Sequence, residues 1–135
     1  MSLKKLGSWP DEGPKLRVSP GKLIKTGKDD LLQIIWGKEH PVLMKFLTSN
    51  DYVHVTKVII PTGGREPRYS EIIEHRGDTV LFVLKGTVFV LLNDSSEVLE
   101  AEEEDAVFIP ENTKQQYINY GDEIVELLKV VSPHW

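Results

Sequence analysis

The side chains able to do chemistry in this chain gather in two stretches. Tyr69, Glu71, His75 and Thr79 all stand at odd positions. On a regular strand alternate side chains point to one face, so this spacing predicts a phenol, a carboxylate, an imidazole and a hydroxyl in a single row. Gln115, Tyr117 and Asn119 share a face of a later strand by the same argument. A histidine and a carboxylate within hydrogen-bond reach can move protons near neutral pH, which makes His75 and Glu71 the candidate catalytic pair. Tyr69, Glu71, His75, Thr79, Gln115 and Tyr117 together supply the few convergent polar groups that a small-molecule pocket needs in an otherwise apolar wall. Each has a plainer reading as well. A lone histidine can be a hydrogen-bonded core or rim residue, Glu71 can face water, and Thr79 is a good strand former. The tyrosines suit a wall with a polar tip. The acidic run Glu102–Asp105 reads as a solvated turn.

The elements that must position these residues are short β-rich runs. They lie at 31–36, 42–48, 52–60, 69–73, 79–84, 87–92, 96–101, 106–109, 114–119 and 123–131. Valine, isoleucine, phenylalanine, tyrosine and threonine dominate them, the residues that favour a pleated, half-buried surface. Turn signals separate them: Pro61-Thr62-Gly63-Gly64, Arg76-Gly77-Asp78, Asn93-Asp94-Ser95, Pro110-Glu111-Asn112 and Tyr120-Gly121-Asp122. Many short strands with frequent turns predict an all-β sandwich or barrel of roughly ten strands. Only 31–47 is ambiguous between helix and strand. Residues 1–28, rich in Pro, Gly and Lys with weak periodicity, read as an N-terminal arm, and residues 29–135 as one barrel domain.

Composition narrows the function classes. The 135 residues include no cysteine, which excludes disulfides, thiolate zinc sites and a cysteine nucleophile. No apolar run reaches the roughly 18 residues that span a bilayer, and no apolar stretch follows the first charges, so no membrane partner and a cytoplasmic location are expected. The formal net charge of -5 argues against a nucleic-acid module. The charge is uneven, with Lys and Arg concentrated in the first 28 residues and acids between 94 and 126. The arm also carries Leu16, Val18, Leu23 and Ile24, which are better buried than exposed. A homodimer in which the basic arm reaches an acidic partner barrel follows as the expectation.

Two segments resemble the motifs of the cupin superfamily. HRGDTVLFVLKG, from His75 to Gly86, is similar to the first motif, and EDAVFIPENTKQQYINYGDE, from Glu104 to Glu123, is similar to the second. The preceding IIPTGGREP at 59–67 looks like that family's strand and Pro/Gly turn. The framework positions Pro61, Gly64, Gly77, Gly86, Asp105, Pro110, Asn119 and Gly121 all fall in place. The resemblance covers about residues 50–131 and implies a double-stranded β-helix, the cupin jelly-roll barrel.

It also implies a ligand set of two or three histidines and one glutamate around iron, manganese, zinc or nickel, and here this chain departs. Counted back from Gly86 without a gap, the glutamate position holds Thr79, the two histidine positions hold Ile73 and His75, and the later histidine position holds Gln115. Counted forward from Gly63 and Gly64, the histidine positions fall on Tyr69 and Glu71. A carboxamide and a hydroxyl are weak neutral donors, so the expected state is a barrel that binds a small polar or carboxylate-bearing molecule without a catalytic metal. The alternative is a metal-dependent dioxygenase or a sugar-type isomerase or epimerase with a rearranged set drawn from Glu71, His75, Gln115 and His54. A sensing module acting through a separate partner is a third reading.

Overall fold

In a computed structural model, the structure describes residues 25, 27–29, 31–36, 39–49, 53–66, 73–92 and 94–132. Almost all of the expected arm, together with Tyr69 and Glu71, lies outside them. Eleven strands form among the described residues: β1 Leu32–Trp36, β2 Val42–Ser49, β3 His54–Ile60, β4 Arg65–Glu66, β5 Ile73–Glu74 and β6 Asp78–Lys85. The rest are β7 Val88–Leu92, β8 Glu97–Ala101, β9 Ala106–Ile109, β10 Lys114–Ile118 and β11 Val125–Ser132. The ambiguous 31–47 stretch therefore holds strands β1 and most of β2. Among the described residues no helix is long and apolar enough to cross a membrane.

The strands make two antiparallel sheets. One has the order β1-β2-β3-β11-β6-β9, the other β4-β10-β7-β8, with β5 also pairing β10. This is an all-β double-stranded β-helix. Period-2 alternation sets which side chains enter it. Val42, Met44 and Phe46 of β2, Val58 and Ile60 of β3, Leu81 and Val83 of β6, and Val125 and Leu127 of β11 are buried together. A register shift between Phe46 and Thr48 lets Ser49 also turn inward, opposite His54.

The row expected along residues 69–79 is not one strand. β5 ends at Glu74, β6 begins at Asp78, and His75 lies in the link between them. The Arg76-Gly77-Asp78 turn breaks the strand, and the His75 carbonyl accepts a hydrogen bond from the Asn112 amide at 2.7 Å. His75 and Thr79 are both buried, but parity across this break is not what places them so.

One end of the barrel is tied. Asn119 exchanges backbone hydrogen bonds with the β3–β4 turn, donating to the Gly64 carbonyl at 3.0 Å and accepting from the Gly63 amide at 2.9 Å. Its side-chain amide donates to the carbonyls of Ile60 (3.0 Å) and Glu123 (2.7 Å), and its Oδ1 accepts from Gly121 at 2.9 Å. Gly86 closes the β6–β7 turn at this end with φ +81°, where a Cβ would stand 2.8 Å from the Ile124 carbonyl oxygen. Only glycine fits that conformation without strain. The acidic run behaves as a turn between β8 and β9, where the Asp105 carboxylate accepts from the Glu102 amide at 2.8 Å.

Candidate functional site: a polar chamber around a buried lysine

The interior is apolar toward the tied end and polar toward the other. Strand register lays this out in rows. At the tied end Val58 pairs with Leu127, and Leu127 with Val83. One row on, Thr56 pairs with Lys129 and Lys129 with Leu81. In the next, His54 pairs with Val131 and Val131 with Thr79. The second sheet contributes Tyr117, opposite Glu66, and Gln115, opposite Ile73. Thr56, Glu66, His75, Thr79, Gln115, Tyr117 and Lys129 are all buried.

Lys129 dominates the electrostatics. It is fully buried on the inner face of β11, and its Nζ lies 5.1 Å from the centroid of the Tyr117 ring. Desolvation pulls its amine down to about 7, opposed by the charge of Glu66. Burial pushes the Tyr117 phenol well above its ordinary range, with Glu66 adding to the shift. His75 is held neutral by burial first, then by repulsion from Lys129 and His54, which together take it down to about 2. At neutral pH the imidazole and the phenol therefore carry no charge, and Lys129 lies near its midpoint.

Hydrogen bonds fix several of these groups. The Tyr117 hydroxyl donates to Gln115 Oε1, and Gln115 Nε2 faces the Thr113 carbonyl at 3.4 Å. His54 Nδ1 meets the Ser49 hydroxyl. The hydroxyls of Thr56 and Thr79, both fully buried, have no hydrogen-bond partner among the described residues. Such orphaned buried groups call for an explanation, and a bound ligand or water is one.

Of the residues singled out from the sequence, the structure brings His75, Thr79, Gln115 and Tyr117 into the buried interior, with His54 half-buried at the same end. Tyr69 and Glu71 lie outside the described residues, so the His75–Glu71 pair has no described geometry. Three chamber residues were not singled out: Lys129, Glu66 and Thr56. A signal for the first existed. In EIVELLKVV, Glu126 and Lys129 have opposite parity, so a central strand covered on one face must bury one of them.

The donor set among the described residues does not fit the family's transition metal. No three histidine, cysteine, aspartate or glutamate side chains converge among them. In the gap-free register the usual positions offer one imidazole, His75, beside the neutral hydroxyl of Thr79 and the carboxamide of Gln115. The Gln115 oxygen is occupied by Tyr117, and the protonated fraction of Lys129 repels a cation.

The shifted groups make stability depend on pH in two windows. Lys129 has a folded value near 7 against an ordinary 10.5, so between them the unfolded chain holds the extra proton. Stability therefore rises with pH from about 7 to about 10. Above that the unfolded Tyr117 phenol ionises first and reverses the trend. His75 acts on the acid side: below 6.5 the unfolded imidazole takes a proton that the folded one refuses until about 2, so stability falls as pH drops through that range. Urea unfolding at pH 9.5 should give a stability on the order of 3 kcal/mol above that at pH 7. Lys129→Met should flatten this alkaline rise; a rise of unchanged size in the variant would contradict the assignment.

Comparison with known proteins agrees with this architecture. Residues 56–131 match the Cupin_2 family model, described as a cupin domain. An uncharacterised protein of Methanocaldococcus jannaschii, MJ0764, is 28% identical over 89 residues, 65% of this chain and 72% of that protein. Its structure, an RmlC-like cupin with a double-stranded β-helix, superposes with a TM-score of 0.60 at 20% identity over 84% of this chain and 92% of that one. The polyketide cyclase RemF of Streptomyces resistomycificus is similar with a TM-score of 0.65 at 16% identity, covering 83% of this chain and 80% of that one. An RmlC-like cupin of Shewanella frigidimarina gives 0.63 at 15%, covering 83% and 92%. At these identities the structural likeness establishes the fold alone. The family match spans more than half the chain and coincides with the two motif segments, the tied Asn119 corner and the polar chamber: this chain belongs to the Cupin_2 family.

Proposed function

We propose that the polar half of the barrel binds a small, carboxylate-bearing molecule against Lys129, with Thr56 and Thr79 as hydrogen-bonding partners. The observation that carries this reading is the pair of fully buried, unpartnered threonine hydroxyls flanking a buried lysine. A carboxylate would accept from both hydroxyls and from the ammonium, and its binding would draw the proton onto Lys129. Thermal unfolding in the presence of small carboxylates tests it. Acetate, malonate and lactate should raise the melting temperature where the matched amides do not, by an amount equivalent to about 2.7 kcal/mol at a hundredfold excess over Kd. Lys129→Met should abolish the shift. If carboxylates leave the wild type unmoved, or stabilise the variant equally, the reading fails.

The same reading has the barrel working without a catalytic transition metal, supported by the donor chemistry of His75, Thr79 and Gln115. Elemental analysis of protein purified without chelator should find well below one equivalent of iron, manganese, zinc or nickel. A stoichiometric metal would restore the alternative of a metal-dependent enzyme using Glu71, His75, Gln115 and His54. The lack of cysteine suits a reducing, cytoplasmic setting.

A homodimer is proposed alongside. The outer face of the six-stranded sheet exposes Val80, Leu84 and Phe108 at its β6–β9 edge, with Val80 paired to Phe108. Large side chains grouped on one face favour burial against another surface. Light scattering after size-exclusion chromatography should report twice the 15.3 kDa chain mass. Phe108→Glu should shift the protein toward monomer, and a wild-type mass near one chain at all concentrations would exclude the dimer.

A further inference from the structure

We infer that Lys129 is also a covalent attachment point: its amine forms a reversible imine with a small aldehyde or ketone admitted to the polar chamber. This rests on the reading of that chamber as a ligand site, and it adds a chemical class to it.

The geometry supplies the groups that imine formation needs. The amine stands on the inner face of β11, fully buried, with Thr56 directly across on β3 and Thr79 one row on across β6. Two unpartnered hydroxyls next to a nucleophile can hold the oxygen of a carbonyl and polarise it toward attack. The Tyr117 ring beneath Nζ offers its π face to a cation, and a protonated imine is one. The low-water surroundings favour dehydration over hydrolysis.

The step balances without an oxidant or reductant. The Nζ lone pair attacks the carbonyl carbon, and the C–O double bond opens to a carbinolamine. The carbon–oxygen bond then breaks, and both amine protons leave with the oxygen as water. A further proton on the product gives the iminium.

The titratable groups that act on Lys129 are Glu66 of β4, Tyr117 of β10 and His75 of the β5–β6 link, with His54 of β3 one row on. Desolvation outweighs the attraction of Glu66 and leaves a substantial neutral fraction of the amine near pH 7. An exposed lysine has only about one amine in a thousand neutral at that pH. Desolvated lysines are the ones that serve as nucleophiles toward carbonyls.

Reductive trapping tests the inference on the full chain. Glyoxylate or propanal with cyanoborohydride at pH 7, followed by peptide mapping, should place one alkyl group on Lys129. It should form at least about tenfold faster than on Lys45, Lys57 or Lys85. The rate at Lys129 should level off above about pH 8 while that of the surface lysines keeps climbing. Lys129 left unmodified once the surface lysines have reacted, or modified no faster than they are, overturns the inference. Lys129→Arg separates the two readings, because it keeps the cation and removes the nucleophile. Carboxylate stabilisation with no trapping at Lys129 in the wild type would sink the imine and leave the binding reading standing. Loss of both would sink both. Retained stabilisation in Lys129→Arg, with trapping at position 129 only in the wild type, supports the two together.

Discussion

Burying Lys129 is the constraint around which the polar half of this barrel is arranged. Its strand, β11, lies between β3 and β6, so an inward side chain there has no route to bulk water. An uncompensated ammonium in such a place costs several kcal/mol, and the chain meets that cost in two ways. Glu66 and the Tyr117 ring stabilise the charged form, and the amine gives up part of its proton. The same burial acts on the neighbours: with repulsion from Lys129 added it keeps His75 neutral, and beside Glu66 it keeps the Tyr117 phenol protonated and donating to Gln115.

The family framework stands apart from that arrangement. The framework is made of turns and corners: Gly86 in its left-handed conformation, Pro110 after β9, Asn119 binding three segments. None of these depends on what fills the chamber. A divalent metal needs anionic or imidazole donors and tolerates no cation nearby, whereas an anion or a carbonyl needs donors and gains from one. In the gap-free register Thr79 and Gln115 offer a hydroxyl and a carboxamide, and Lys129 adds a basic group to the same buried interior.

How much of this was legible in the sequence varied with the kind of signal. Strands such as β6 and β7 were plain because apolar residues alternate or run continuously between turn residues, and Gly86 was plain because two strands met at it. The inward positions of Thr79, Gln115 and Tyr117 followed from parity on regular strands. Parity failed where strands were short or interrupted. β4 is two residues long, so Glu66 had no periodicity to reveal it. His75 shares its number parity with Thr79 but sits beyond a turn. Ser49 turns inward only because a bulge adds a residue to β2. Thr56 carries no signal at all, since threonine suits either face of a strand. Lys129 was the instructive miss: in a strand apolar on both faces, a lone lysine is easily taken for the solvent side, and only its parity clash with Glu126 points inward.

The Asn119 corner makes the two ends of the barrel mechanically unequal. One residue holds the ends of β3 and β10 and the approach to β11 through five hydrogen bonds, and it does so beside the close-packed apolar half. At the other end the ties are separate pairs: the Asn112 amide donates to the His75 carbonyl at 2.7 Å, the Glu111 amide to Asp78 Oδ1 at 3.0 Å, and Ser49 meets His54. Failure is then unequal as well: losing the Asn119 side chain would release three segments at once, as pulling a keystone frees every stone that leans on it, whereas losing any one contact at the other end would free a single pair.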